Sequence, residues 1–174
     1  MKIEANAIVV DAGPLIHLDE LQSVDLLEDL SPLVVPKAVW YEVGKHRKKL
    51  DSSQFRNLSI VSEKAPISAR LKTLAENFAL DLGEIEALAL AEQHQLTMFL
   101  TDDTAARLVA ESLGFRVHGT IGLIVRAIRR RLRTQSQVVG MLSSIRETTT
   151  LHLSSKLLSE VLENIEKSGL FQET

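Results

Sequence analysis

Cysteine is missing from this 174-residue chain, which removes disulfides, thiolate zinc sites, iron-sulfur ligation and cysteine nucleophiles at once. Aromatics are scarce too, with one tryptophan and one tyrosine, so Trp40 and Tyr41 fit the core at least as well as they fit a base-stacking surface. No uninterrupted apolar run approaches the roughly 18 residues that a membrane-spanning helix needs. The opening Met1-Lys2-Ile3-Glu4-Ala5-Asn6 does not make a secretory signal, and a soluble cytoplasmic protein without a membrane partner is the expectation. Also absent are a Walker loop, a Gly-x-Gly-x-x-Gly turn and a Gly-x-Ser-x-Gly elbow, which argues against a glycine cradle for nucleotides and against a serine hydrolase. The five histidines (His17, His46, His94, His118 and His152) show no metal-binding spacing and read as surface or structural residues.

What the chain does contain is 45% hydrophobic and 25% charged residues, enough to bury a core without cross-links. Short strand-like runs at 7–10, 33–35, 58–61, 98–100 and 115–117 alternate with helical patterns. This alternation predicts a three-layer α/β/α fold on a parallel sheet of about five strands. After Gly119 the pattern becomes all helical, over 121–132, 135–146 and 154–167, with Gly169 as the stop. Residues 1–174 therefore read as one domain, with 1–119 as the sheet core and 120–168 as a helical C-terminal part. Ser23 is expected to cap a short helix and Pro66 to start another. The apolar positions Leu151 to Ile165 either close the core or form a dimer surface.

Carboxylates recur at the ends of these apolar runs: Asp11 after Ile8-Val9-Val10, Glu42 after Val39-Trp40-Tyr41, Glu84 at the start of an alanine-rich helix, and Asp102 after Met98-Phe99-Leu100-Thr101. Parallel strands bring such ends to one rim, where a crevice forms. Acids gathered there repel one another unless a cation holds them, which suggests a Mg2+ or Mn2+ site of oxygen ligands. Asp103 is a reserve ligand. Each acid also has a plainer role available. Asp81-x-x-Glu84 has the pattern of a capping box, and Asp102 or Asp103 could cap the next helix. Glu86 and Glu92 read as surface residues.

The net charge of −3 excludes polyanion binding by bulk charge, so nucleic-acid affinity needs a local patch. Arg126, Arg129, Arg130 and Arg133 share one helical side and, with Lys48, are candidates for gripping phosphates; a solvated helix face is the alternative.

Taken in order, Val10-Asp11-Ala12-Gly13-Pro14-Leu15-Ile16, Val35-Pro36 through Glu42-Val43, Leu82-Gly83-Glu84 through Ala91, Leu100-Thr101-Asp102-Asp103 and Ala110 through Gly122 resemble the PIN-domain nucleases. The likeness is to the bacterial and archaeal branch that reads Asp-Ala-Gly-Pro-Leu-Ile near its start, and it covers roughly 7–165. The resemblance implies a metal-dependent ribonuclease that cuts single-stranded RNA, commonly the toxin of a toxin–antitoxin pair that dimerises and is blocked by a small antitoxin. On that likeness Asp11, Glu42, Glu84 and Asp102 are its four acids. Gly13 stands where the family often has serine or threonine, and Glu84 where it often has aspartate. Those departures keep a second expectation open, a weak or inactive PIN-like module that binds nucleic acid or protein.

Overall fold

The computed structural model describes residues 3–167. Its centre is a five-stranded, wholly parallel sheet of β1 (Ile8–Val10), β2 (Leu33–Pro36), β3 (Leu58–Val61), β4 (Met98–Leu100) and β5 (Arg116–His118), in the order β3-β2-β1-β4-β5. Successive side chains of a strand point to opposite faces. Ile8, Val9 and Val10 are nevertheless all buried, so both faces of the central strand are covered, as a three-layer α/β/α arrangement requires.

The helices are α1 (Ala12–Glu20), α2 (Lys37–His46), α3 (Ala69–Phe78), α4 (Leu82–Gln93), α5 (Thr104–Ser112), α6 (Thr120–Arg129), α7 (Gln135–Thr148) and α8 (Ser155–Lys167). Pro14 sits in the first turn of α1, where its missing N–H had no helical partner to lose. Helix α4 packs against β1, β2 and β4 through Ala87, Leu88 and Ala91, none of them exposed to solvent. Between α5 and β5 the chain reverses at Gly114, whose φ of +95° suits glycine alone.

Three local expectations are corrected. Ser23 precedes a 3-10 turn (Val24–Leu27), but its backbone is not in the extended cap conformation and its hydroxyl donates to the Leu21 carbonyl instead. Pro66 does not start α3; Ser68 does, accepting from the Leu71 N–H. Strand β5 begins at Arg116 rather than Phe115, because the Phe115 N–H is taken by the Ala110 carbonyl at the end of α5. The proposed stop at Gly169 lies outside the described residues. Of the C-terminal apolar positions, Ile165 is buried and Leu151, Leu153, Leu158, Val161 and Leu162 pack against the core, leaving Leu157 exposed.

Strand order decides where a site can form. The chain leaves β1 toward β2 on one side and later returns to place β4 on the other. At that reversal the carboxyl ends of β1 and β4 diverge into a crevice. Val10 pairs with Leu100, so the residues that follow, Asp11 and Thr101-Asp102, flank it.

Candidate metal centre

A pocket of about 390 Å³ opens at this crevice, and its lining includes Asp11, Glu42, Asp81, Glu84, Asp102 and Asp103. Acids 92 positions apart in sequence thus share one wall. Among the described residues no lysine or arginine lines the pocket, whose basic side chains are His17 and His152.

Asp11 occupies the cap position of α1 but makes no side-chain capping bond. Its carboxylate turns inward and accepts the Thr101 hydroxyl at 2.9 Å, while that same hydroxyl oxygen accepts the Asp103 N–H at 3.1 Å. Only 6% of Asp11 is exposed. Burial raises its pKa from 3.8 to about 7, with Asp81 and Glu42 adding repulsion against the relief given by the Ala12 N–H and Thr101.

Glu84 does two things at once. The capping box is real: Asp81 Oδ1 accepts the Glu84 N–H at 2.9 Å and Glu84 Oε2 accepts the Asp81 N–H at 2.8 Å. Yet Glu84 is also buried in the pocket wall, and burial, with repulsion from Asp81, Asp103 and Asp11, lifts its pKa to about 8. Glu42 reaches the same place from α2. A Cβ added to Gly83 would lie 3.3 Å from both Asp81 Oδ1 and Glu42 Oε2, which shows how closely α2 and α4 bring their acids together. Glu42 is likewise raised, by burial first and by Asp81 second.

Asp102 is the most tightly held of the four. Its Oδ1 accepts the Thr120 N–H at 2.7 Å, and its Oδ2 takes the Thr120 hydroxyl at 2.6 Å and His17 Nδ1 at 2.8 Å. Gly119 is required beside it, because a Cβ there would fall 2.5 Å from Asp102 Oδ1 and 3.0 Å from the Thr101 carbonyl. Asp103 is the residue that caps α5, accepting the Ala106 N–H, and it also lines the pocket.

Thr101, Thr120 and His17 are contacts the sequence reading passed over. For Thr101 a signal existed, since it directly follows β4 and precedes Asp102, whereas Thr120 has no acid near it in sequence; both are fully buried. His17 follows Asp11 by six residues, and only the packing of α1 against the end of β4 reveals its bond. The structure also explains Gly13: an added Cβ would press to 3.2 Å from the Asp102 Cβ. A serine there would crowd Asp102, and hydroxyls reach the acids from Thr101 and Thr120 instead.

The arginines are placed elsewhere. Arg126 and Arg130 both bind Asp29, at 2.7 and 2.8 Å, and Arg133 binds Asp25 at 2.8 Å. They fasten α6 and the turn that follows it to the segment after α1, and none of them, nor Arg129 or Lys48, lines the acid pocket. Arg129 and Lys48 are exposed. Trp40 packs edge-on against Phe55, whereas Tyr41 is 68% exposed beneath the Lys45 ammonium.

The sequence profile of the PIN domain matches residues 7–167. The chain belongs to the PIN-domain family. A comparison with curated proteins finds no match. PIN domains are generally nucleases and typically use divalent metals, and the acid pocket is the candidate place for one. The fit is one of donor chemistry. Carboxylate oxygens suit Mg2+ or Mn2+, and two of these carboxyls are buried without a compensating cation. Among the described residues no group of three or more His, Asp or Glu side chains, as placed, could hold a metal ion. Nor, among the described residues, is any helix long and apolar enough to cross a membrane.

Proposed function

We propose that this PIN domain is a metal-dependent endoribonuclease acting on single-stranded RNA, with Asp11, Glu42, Glu84 and Asp102 as the residues that would hold Mg2+ or Mn2+. The observation that carries the reading is the pair of buried carboxyls, Asp11 and Glu84, raised to about 7 and about 8 in a pocket that, among the described residues, neither lysine nor arginine lines. When bound there, the cation supplies Lewis acidity toward the phosphodiester and eases loss of a proton from water.

The chain's own groups do the rest. Thr101 orients Asp11, and Thr120 with His17 fixes Asp102, so two of the acids are aimed before any ligand arrives. Glu84 is anchored by one oxygen to the Asp81 N–H, leaving Oε1 for the pocket. Asp103 supports α5 as its cap and stands in reserve. Phosphate gripping by the exposed Arg129 and Lys48 and a cytoplasmic location belong to the same reading on the strength of the sequence, and a homodimer and the role of toxin held by a small antitoxin on the strength of the family likeness.

One observation favours the inert alternative: both oxygens of Asp102 are already hydrogen-bonded. Incubating the purified protein with single-stranded RNA in Mn2+ or Mg2+ separates the two. Cleavage that EDTA stops and Asp11→Asn abolishes supports the nuclease; cleavage that survives either, or no cleavage at all, rejects it.

A further inference from the structure

The acid pocket has a wall that the sheet does not supply. Residues 149–154, between α7 and α8, return to the pocket, and Thr150, Leu151 and His152 line it beside Asp11, Glu84 and Asp102. This loop is fastened along its length. The Thr150 N–H and hydroxyl both donate to the Glu20 carboxylate at the end of α1, at 2.8 and 3.0 Å across 130 residues of sequence. Arg146 donates to the Leu153 carbonyl at 2.7 Å and to the Ser155 hydroxyl at 2.9 Å, while the Leu151 N–H donates to Thr149 Oγ1. Half-buried Leu151 packs against the core. A loop so held keeps its side chains in register with the acids before any ligand binds.

The side chain it presents is His152, which is exposed. Its Nδ1 lies 3.3 Å from the Thr150 carbonyl. A carbonyl oxygen only accepts, so the ring proton is assigned to Nδ1, and Nε2 of the neutral ring is left as an acceptor. The pocket's other histidine is committed to Asp102. An acceptor on the rim needs a donor from the substrate. The backbone of a nucleic acid offers one in the ribose 2′-hydroxyl, the group that separates RNA from DNA.

Resting on the nuclease reading above, we propose that His152 Nε2 accepts a hydrogen bond from a ribose 2′-hydroxyl of the bound strand, so that the Glu20-tethered loop makes His152 a specificity-determining residue for RNA over DNA. The test compares one single-stranded sequence as RNA and as its 2′-deoxy form, by cleavage in Mn2+ and by fluorescence anisotropy with Ca2+ replacing the catalytic ion. Wild-type protein prefers the ribose strand. His152→Ala cuts that preference roughly two- to ten-fold, the worth of one net hydrogen bond. His152→Gln, which keeps an acceptor, restores part of it, and Glu20→Ala, which frees the loop, lowers it with His152 intact. Because His152 and the Glu20 contact lie at the surface, unchanged thermal melting verifies that the variants fold. Equal ribose preference in wild type and His152→Ala, or none in wild type, overturns the proposal. Failure of the nuclease reading shows separately, as no cutting of either strand in Mn2+, while the binding ratios still decide the role of His152.

Discussion

Replacing Asp11 by asparagine changes the pH dependence of folding in a way that follows directly from the pocket. A carboxyl with a folded pKa of about 7 against 3.8 when unfolded binds its proton more tightly in the folded chain. Folding is therefore favoured at low pH, and Asp11's contribution erodes as pH climbs from about 4 to about 7, then stays level. At about 1.4 kcal/mol per pH unit, the full rise amounts to roughly 4 kcal/mol, an upper figure for so buried a group. Asparagine is nearly isosteric and does not titrate, so this penalty vanishes. Its amide oxygen can still accept from Thr101, but the NH2 that replaces the second carboxylate oxygen meets the Ala12 N–H. That fixed cost lowers the variant's stability equally at every pH. The slope, rather than the offset, is thus the decisive quantity. In urea unfolding with EDTA present, the stability of Asp11→Asn relative to wild type should increase with pH between about 4 and 7, by up to about 1.4 kcal/mol per unit, and be flat above. A difference that stays constant over that range, or one that runs the other way, would show that Asp11 is ionised in the folded protein and would refute the argument.

Four further substitutions have outcomes that follow from the structure. Gly119→Ala should destabilise by about 1–3 kcal/mol and weaken metal binding, since its methyl would displace Asp102; Gly140→Ala, in α7 with open space around it, should stabilise by about 0.5–1 kcal/mol, both read by chemical denaturation. Thr101→Val should cost about 1–3 kcal/mol, because it strips a donor from Asp11 and an acceptor from the Asp103 N–H, and it should raise the Asp11 pKa further in an NMR titration. Asp29→Asn should lower the melting temperature at low salt and much less at high salt, because it weakens the pairing of Arg126 and Arg130 with the segment after α1. RNA affinity lost equally in Arg126→Ala and Arg129→Ala would instead mark the whole row as a phosphate-binding face.

Much of the architecture was legible because strand and helix periods are local. The runs ending at Val10, Leu100 and Val61 became strands within a residue of their expected limits, and Asp81-x-x-Glu84 became the capping box its spacing indicates. The convergence of Asp11 and Asp102 was legible too, since each follows one of two adjacent parallel strands, whereas Glu42 and Glu84 reach the same pocket from α2 and α4. What escaped the sequence was every contact between distant segments whose partner has no periodic signature. His17 meets Asp102 across 85 residues and Thr150 meets Glu20 across 130, and neither spacing carries a pattern. The arginine row illustrates the reverse difficulty. Its helical spacing holds only as far as Arg130, because α6 ends at Arg129 and the chain turns at Arg131 with φ +58°, so Arg133 stands beyond the helix; whether Asp25 and Asp29 or a phosphate engages the row depends on where the segment after α1 packs.

The most direct test of the acid pocket as a metal centre is Mn2+ titration by calorimetry near pH 7 in buffers of different ionisation enthalpy. Carboxyls raised to about 7 and about 8 must give up protons when a cation takes their oxygens. The account predicts saturable Mn2+ binding with net proton release in wild type, and a large loss of affinity in both Asp11→Asn and Glu84→Gln. Binding that releases no proton and survives both substitutions, or no binding at all, would contradict it.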